Sequence, residues 1–202
     1  DFPKQFLDIL NTGRTLIQST YDRFTLFVPK ENIYVVTTNQ YKDIVAEQLP
    51  DIPVDNILCE PSRKNTAPCI AYISYKLNQL NPEANLICAP ADHIILDPAG
   101  FKATCLQALK FTSHIKALVT LGIKPTYPNI GYGYIQYDQQ AVGENVFKVK
   151  TFTEKPDKDL ARTFISSGDF LWNAGIFVWQ VKNIVKAFET FLPEMHDVFD
   201  AE

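Results

Sequence analysis

Short apolar segments alternate with helical patterns along this chain of 202 residues, and this alternation restricts the fold more than any other feature. Apolar runs of the kind that is typical of strands buried on both faces occur at residues 32–38, 56–59, 85–89 and 117–122. Apolar side chains at three- and four-residue steps predict helices at residues 13–24, 66–80, 101–112 and 157–167. The pattern predicts an α/β domain with a largely parallel sheet.

The second half of the chain has a different pattern. Residues 132–137 and 146–153 alternate in period two, which predicts strands with one more exposed face. Residues 174–179 again form a dense apolar strand. There is no internal repeat and no linker richer in Gly, Pro or Ser than a turn. Residues 1–202 are therefore expected to form a single domain.

The net charge of −4 limits the ligands that the surface can bind. A nucleic-acid surface would show as an excess of basic residues, so no nucleic-acid partner is expected. An anionic ligand must instead be held by a few placed cations and by helix ends.

The cysteines, the amino-terminal sequence and the apolar stretches predict where the protein works. Cys59, Cys69, Cys88 and Cys105 form no CxxC pair, which favours free buried thiols and fits a reducing cytosol. No signal peptide opens the sequence, and no apolar stretch is long enough to cross a bilayer. We therefore expect a cytoplasmic protein without a membrane partner.

Asp92 follows the apolar run at residues 85–89 in the sequence CAPADH. Ligands of open α/β sheets bind outside the carboxyl ends of the strands, where a carboxylate could hold a metal ion. Magnesium usually takes one or two protein carboxylates together with substrate phosphates, so a lone aspartate is sufficient. The alternative is that Asp92 caps a turn or a helix.

The run PSRKNTAP, at residues 61–68, precedes the long predicted helix. Asn65 or Thr66 would cap that helix, and its free N–H groups together with Arg63 and Lys64 suit an anionic or nucleotide ligand. An ordinary helix cap with two solvated cations explains the same residues.

Two runs in the second half, FTEKP and WNAGIF, combine the groups that a sugar phosphate needs. Glu154 can accept hydrogen bonds from hydroxyls, and Lys155 is a cation for a phosphate. Asn173 offers an amide, and Gly175 lets a ligand lie against bare backbone. Gly133, in GYGYI, indicates either a close backbone approach to a ligand or a bulge in an edge strand.

Six runs stand in order along the chain: PKQF, EP followed by NTAP, PADH, GYGYI, EKP and WNAGIF. In these runs the chain resembles the sugar nucleotidyltransferases, and within them the mannose-1-phosphate guanylyltransferase (GDP-mannose pyrophosphorylase) family. The resemblance covers essentially all of the sequence. It implies a Rossmann-like three-layer α/β sandwich with a mostly parallel mixed sheet. It also implies an enzyme that uses Mg²⁺ to transfer GMP from GTP to mannose 1-phosphate, giving GDP-mannose and pyrophosphate.

The resemblance also implies roles for particular residues. Lys4 corresponds to a lysine on the nucleotide phosphates, Asp92 to the magnesium ligand and Lys155 to the cation on the sugar 1-phosphate, and these three form the implied catalytic set. The implied sugar-phosphate site consists of Gly133, Glu154, Lys155, Asn173 and Gly175. The implied nucleotide site consists of Lys4, Lys64, Asn65, Thr66 and Asp92. The family usually has arginine where this chain has Lys64, and lysine lacks the bidentate fork of arginine.

Two parts of the family pattern lie outside residues 1–202. They are a Gly-rich stretch ahead of PKQF, which cradles the triphosphate, and a second acidic metal ligand. We therefore expect a domain truncated at both ends relative to the family, and we predict that residues 1–202 alone do not make GDP-mannose.

Other functions stay open at this point. The chain could serve a transferase for another nucleotide or hexose 1-phosphate, or a non-catalytic sugar-nucleotide-binding regulatory module. A dinucleotide oxidoreductase would need GxGxxG after a strand, and the sequence has none. The oligomeric state, a homodimer included, also stays open.

Overall fold

The computed structural model describes residues 2–60 and 66–200. Its helices are α1 (Leu16–Thr25), α2 (Lys42–Gln48), α3 (Thr66–Leu80), α4 (Pro98–His114), α5 (Lys158–Ser167), α6 (Val181–Phe191) and α7 (Pro193–Asp200). Its strands are β1 (Val35–Thr38), β2 (Ile57–Glu60), β3 (Asn85–Cys88), β4 (Leu118–Ile123), β5 (Gly133–Gly143), β6 (Val146–Glu154) and β7 (Phe170–Gln180). The order of elements confirms the predicted α/β class.

The predicted elements are present, and the differences at their ends have local causes. Helix α1 begins at Leu16 because Thr15 caps it: the Thr15 hydroxyl accepts from the Gln18 backbone N–H, and the Gln18 side chain accepts from the Thr15 N–H. Strand β7 begins at Phe170, four residues before the predicted apolar run, because strand pairing continues through Asn173.

The strands form a two-stranded sheet, β1–β2, and a five-stranded sheet in the order β3–β7–β5–β6, with β4 also paired to β7. Trp179 of β7 pairs with both Leu86 of β3 and Leu118 of β4, so β7 lies between these two strands and antiparallel to both. Parallel and antiparallel pairing both occur, as expected, but among the described residues they occur in separate sheets. Parallel pairing is less frequent than expected: among the described residues only β1 and β2 pair in parallel, because β7 separates β3 from β4.

Helices cover both faces of β7, which gives three layers. Ala174 and Ile176 on one face pack with Phe101 and Cys105 of α4. Trp179, which faces the other way, packs with residues of α3 and α6, among them Tyr75 and Phe188. Successive side chains of β7 therefore point alternately to the layer of α4 and to the layer of α3 and α6.

A groove of about 1470 Å³ lies between the two sheets. Strand β1 lines it along its whole length and so does β3, and each has only one edge paired with another described strand. A separate apolar core stands on the β1 side of the groove, built on Phe6, Ile17, Val45, Leu49 and Ile57.

The described cysteines are free thiols, as predicted. Burial raises the pKa of Cys69 and of Cys105 to about 11 and the pKa of Cys88 to about 12, so these three stay protonated at neutral pH. Among the described helices, none combines the length and the apolar character that spanning a bilayer requires.

Candidate active site

The sheet brings four of the predicted sugar-phosphate residues together across three neighbouring strands, β6, β5 and β7. Gly133 on β5 pairs with Glu154 on β6. Tyr134 pairs with Trp172, so the next step of the same register puts Gly133 opposite Asn173 on β7. Residues opposite each other in an antiparallel sheet point to the same face. We call Glu154, Lys155, Gly133 and Asn173 the shelf, with Glu154 and Asn173 about 10 Å apart because two strand spacings separate them.

Gly133 is a glycine because two side chains occupy the space next to it. A Cβ at this position would lie 2.7 Å from the Glu154 carboxylate oxygen Oε2 and 3.2 Å from the Phe152 ring. Gly133 is itself buried. Phe152 is an exposed ring beside the shelf that was not predicted as a site residue. The available signal was its position two residues before Glu154 in a strand, which places both side chains on the same face.

Lys155 has a strained backbone conformation. Its φ is 45°, in the left-handed region that few non-glycine residues adopt, and its N–H donates to the Tyr132 carbonyl at 3.3 Å. The Lys155 Nζ lies 4.0 Å from the Glu154 Oε1, and both side chains are largely exposed. The turn after β6 therefore holds an ammonium group at the end of the shelf, open to an anion.

Asn173 is held by two hydrogen bonds to its amide oxygen. Oδ1 accepts from the Gly175 N–H at 3.0 Å and from the Thr120 hydroxyl at 2.9 Å. Thr120 is not among the site residues predicted from the sequence. Its signal was one polar side chain in the otherwise apolar strand LVTLGI.

Gly175 joins the shelf to the loop that carries Asp92. Its φ is 65°, which glycine adopts without steric cost. A Cβ at Gly175 would lie 3.5 Å from Pro90, in the loop after β3. The sugar-phosphate and metal positions predicted from the sequence are therefore neighbours in the fold.

Asp92 forms an ion pair with Lys4. Lys4 Nζ lies 2.8 Å from Asp92 Oδ2, and the two side chains are 65% and 25% exposed. His93 Nε2 is 3.9 Å from Asp92 Oδ1. Burial lowers the pKa of His93, although Asp92 opposes this effect, so the imidazole is neutral at pH 7. Lys4 is therefore the cation that compensates Asp92.

Helix α1 holds the loop around Asp92 in place through two side-chain hydrogen bonds. The Thr20 hydroxyl donates to the Ala91 carbonyl at 3.4 Å, and the Arg23 guanidinium donates to the His93 carbonyl, also at 3.4 Å. Arg23 is buried and lies over the Phe101 ring, 5.3 Å from its centroid. Neither residue could be predicted from the sequence, because the role of each depends on a contact about 70 positions away.

The donors around Asp92 fit a magnesium ion that is held mainly by phosphates. Residues 2–60 and 66–200 contain no group of three or more His, Cys, Asp or Glu side chains arranged around one point. One partly exposed carboxylate is sufficient for such a site, since substrate phosphates supply the other ligands, and a metal ion there would compete with Lys4 for Asp92.

The predicted nucleotide residues are only partly described. Lys64 and Asn65 lie outside the described residues. Thr66 is the first residue of α3 and lines the groove together with Pro90 and Gly175. The amino-terminal end of a 15-residue helix therefore lines the same groove as the loop that carries Asp92.

A family model described as nucleotidyl transferase matches residues 1–201. The mannose-1-phosphate guanylyltransferase of Escherichia coli K12 is 34% identical over 203 residues, covering 97% of this chain and 42% of the relative. The xanthan biosynthesis protein XanB of Xanthomonas campestris pv. campestris (strain ATCC 33913) is 35% identical and is covered to 41%, with 97% of this chain aligned. The chain thus spans about two fifths of the length of these relatives.

Solved structures agree with the sequence relatives. A crystal structure of a mannose-1-phosphate geranyltransferase from Thermus thermophilus matches with a TM-score of 0.87 and 27% identity, over 98% of this chain and 57% of that one. A mannose-6-phosphate isomerase from Helicobacter pylori matches with a TM-score of 0.83 and 27% identity, over 98% of this chain and 74% of that one. The resemblance to the nucleotidyltransferases that the sequence indicated is confirmed, and the chain belongs to the nucleotidyl transferase family.

Proposed function

We propose that this chain forms part of an enzyme that transfers GMP from GTP to mannose 1-phosphate, giving GDP-mannose and pyrophosphate. The observation that carries the proposal is the shelf, where a carboxylate, an ammonium group and an amide stand together beside the loop of Asp92. The names of curated relatives support the choice of guanine nucleotide and mannose 1-phosphate.

The shelf is proposed to bind mannose 1-phosphate. Lys155 binds the phosphate, Glu154 accepts hydrogen bonds from hydroxyls of the sugar, and Asn173 donates to another. Gly175 keeps the backbone between the shelf and Pro90 free of a side chain. A contact to Gly133 requires the Glu154 or Phe152 side chain to turn aside, because both now lie against it.

The nucleotide is proposed to bind on the other side of the Asp92 loop. Lys4 would bind its phosphates, and the N–H groups at the start of α3, with Thr66, would bind it as well. Lys64 and Asn65 keep their predicted place in the same nucleotide site. Asp92 would hold Mg²⁺, which when bound neutralises charge on the phosphates.

The reaction needs no general base from the protein. The second pKa of a sugar phosphate is about 6, so the acceptor is mostly a dianion at neutral pH. One of its oxygens attacks the α-phosphorus of GTP, the bond to the bridging oxygen breaks, and pyrophosphate leaves with that electron pair. The task of Lys4 and Lys155 is to align the two phosphates and to neutralise their charge.

The expected location and oligomeric state are also proposals. Free thiols support a cytoplasmic location. A homodimer stays a prediction, and sedimentation of the full-length protein tests it.

The decisive experiment compares substrates with the full-length protein. GTP and ATP are each combined with mannose 1-phosphate and with glucose 1-phosphate, and pyrophosphate release is measured. We expect the highest kcat/KM for GTP with mannose 1-phosphate. Preference for another pair would make the enzyme a transferase for that pair. Binding of a sugar nucleotide without turnover of any pair would indicate a regulatory module.

A further inference from the structure

The orientation of the Asn173 amide is fixed by a donor that cannot reverse its role. The Gly175 backbone N–H can only donate, and it lies 3.0 Å from the side chain of Asn173. The atom that faces it must therefore be the amide oxygen, not the nitrogen. This settles an assignment that heavy-atom positions alone leave ambiguous.

The Thr120 hydroxyl then completes the hydrogen bonding of that oxygen. Thr120 Oγ1 lies 2.9 Å from Asn173 Oδ1 and 3.3 Å from the Ile176 carbonyl oxygen, both of which are acceptors. The hydroxyl proton must point toward them, because two oxygens at 2.9 Å without a proton between them would repel each other. Together, Gly175 and Thr120 occupy both lone pairs of the amide oxygen.

The amide nitrogen of Asn173 remains for a ligand. Among the described residues, none accepts a hydrogen bond from Nδ2. Asn173 is only half-buried, so a ligand can reach this nitrogen. Asn173 therefore presents donors and no acceptor, whereas the Glu154 carboxylate at the other end of the shelf presents acceptors and no donor.

We propose that Thr120 is a positioning residue that makes Asn173 a donor-only contact for one hydroxyl of the sugar phosphate. The inference rests on the proposed function, because it concerns the same sugar-phosphate site. Thr120 does not touch the ligand. It acts through the Asn173 oxygen: the Gly175 N–H sets the orientation of the amide, and Thr120 occupies the second lone pair of the oxygen and holds the side chain in place. A sugar hydroxyl at this end of the shelf then accepts a hydrogen bond, whereas a hydroxyl at the Glu154 end donates one.

The first test removes the hydroxyl and keeps the shape. Thr120→Val in the full-length protein is expected to raise KM for mannose 1-phosphate about three- to tenfold, the effect of one neutral hydrogen bond. We expect kcat and KM for GTP to stay within about twofold, because the nucleotide is proposed to bind on the other side of the Asp92 loop, away from this strand. Thr120→Ser keeps the donor and should restore the wild-type KM. An equal rise of KM for both substrates, or no rescue by serine, would overturn the proposal.

A double-mutant cycle separates positioning from general stability. In an Asn173→Ala background, Thr120→Val should change KM for mannose 1-phosphate by less than about twofold, because its target is gone. Additive effects would mean that Thr120 acts only through the sheet. If Thr120→Val does not fold, Asn173→Asp provides the test: its carboxylate still accepts from Gly175 and Thr120 but has no N–H, so it should raise KM as much as Asn173→Ala does. Wild-type KM in Asn173→Asp would overturn the inference.

These outcomes differ from a failure of the proposed function. If Asn173→Ala leaves KM for mannose 1-phosphate unchanged, the shelf is not the sugar-phosphate site, and both proposals fail. If Asn173→Ala raises that KM but Thr120→Val does not, only the role of Thr120 is wrong.

Discussion

Two regions of the molecule hold their polar groups in different ways. On the shelf, Glu154 belongs to the edge strand and Asn173 to an interior strand of a five-stranded sheet, and cross-strand pairing determines their spacing. Lys4 and Asp92 instead stand on a short 3₁₀ helix and on the loop after β3, beside the groove between the sheets. One partly exposed ion pair joins them.

The difference concerns what each region can adjust. Moving Asn173 relative to Gly133 would require a register shift, which would turn every side chain of β7 to the other face. Moving Lys4 away from Asp92 costs little, because exposed ion pairs contribute only about 0–1 kcal/mol. The shelf is therefore suited to recognising one shape, and the Lys4–Asp92 pair to exchanging partners when a charged ligand arrives.

The largest expected effect concerns the adjustable region. Asp92→Asn keeps the shape of the side chain and removes the charge that would hold a metal ion. We expect turnover of the full-length protein to fall by about 10²-fold or more, which is typical when one placed electrostatic contact to the reacting phosphates is lost. Turnover at saturating Mg²⁺ measures the effect.

Asp55→Asn is the matched control, since Asp55 is an exposed aspartate away from the cleft. It should leave turnover unchanged. An Asp92→Asn enzyme that works within a few-fold of the wild type would show that Asp92 only pairs with Lys4.

The second effect tests the shelf. Lys155→Ala is expected to weaken binding of mannose 1-phosphate by roughly 2–3 kcal/mol, the scale of a charge-assisted hydrogen bond, and to leave GTP binding nearly unchanged. Alanine keeps the Cβ, so the strain of the positive φ at this position stays the same. Calorimetric titration with each ligand measures the two affinities.

Lys158→Ala serves as the control, because Lys158 is an exposed lysine three residues further on, at the start of α5. It should change neither affinity. Equal losses for both ligands in Lys155→Ala would make Lys155 a structural residue rather than a phosphate contact.

The sequence was sufficient to predict where each strand and most helices lie, because apolar periodicity is a local property. It was also sufficient to propose site roles for Asp92, Glu154 and Asn173, each of which adjoins or interrupts an apolar run. It could not predict that β7 lies between β3 and β4, since strand order depends on how distant segments pair. For the same reason the direction of most pairings was not anticipated. Helices α2, α6 and α7 were not predicted either, although Val181, Ile184 and Phe188 of α6 show the three- and four-residue spacing of a local helical pattern.

The contacts that orient the site residues were the part that the sequence could not reveal. Thr120 contacts Asn173 across 53 positions, and Arg23 contacts the His93 carbonyl across 70. Each is an ordinary polar residue in its own segment, and only the fold gives it a role. The identity of Gly133 is likewise explained by Glu154 and Phe152 on the neighbouring strand.

A third test compares the two sheets directly by hydrogen exchange of the 202-residue chain. Residues 177–179 of β7 lie between two paired strands, whereas residues 35–37 of β1 have one paired edge among the described residues and line the groove with the other. We expect the Val178 amide to exchange at least about tenfold more slowly than the Val36 amide, because the open edge needs less unfolding to exchange. The two residues are of the same type, so sequence effects on exchange are similar. Equal protection would mean that the groove side of β1 is covered.

The smallest expected effect is a change of affinity that has opposite signs for the metal ion and for GTP. If Lys4 compensates Asp92 in the absence of ligand, Lys4→Met should free the carboxylate and tighten binding of Mn²⁺, used as a magnetic probe for Mg²⁺, by up to about fivefold. Binding of GTP should weaken in the same variant, because the cation proposed for its phosphates is lost. Lys42→Met, at an exposed lysine of α2, should change neither affinity. In an Asp92→Asn background the gain in Mn²⁺ affinity should disappear, since the metal would have no carboxylate to gain. Electron paramagnetic resonance of free Mn²⁺ measures the affinity without requiring turnover, and weaker Mn²⁺ binding in Lys4→Met would show that Lys4 does not compete for Asp92.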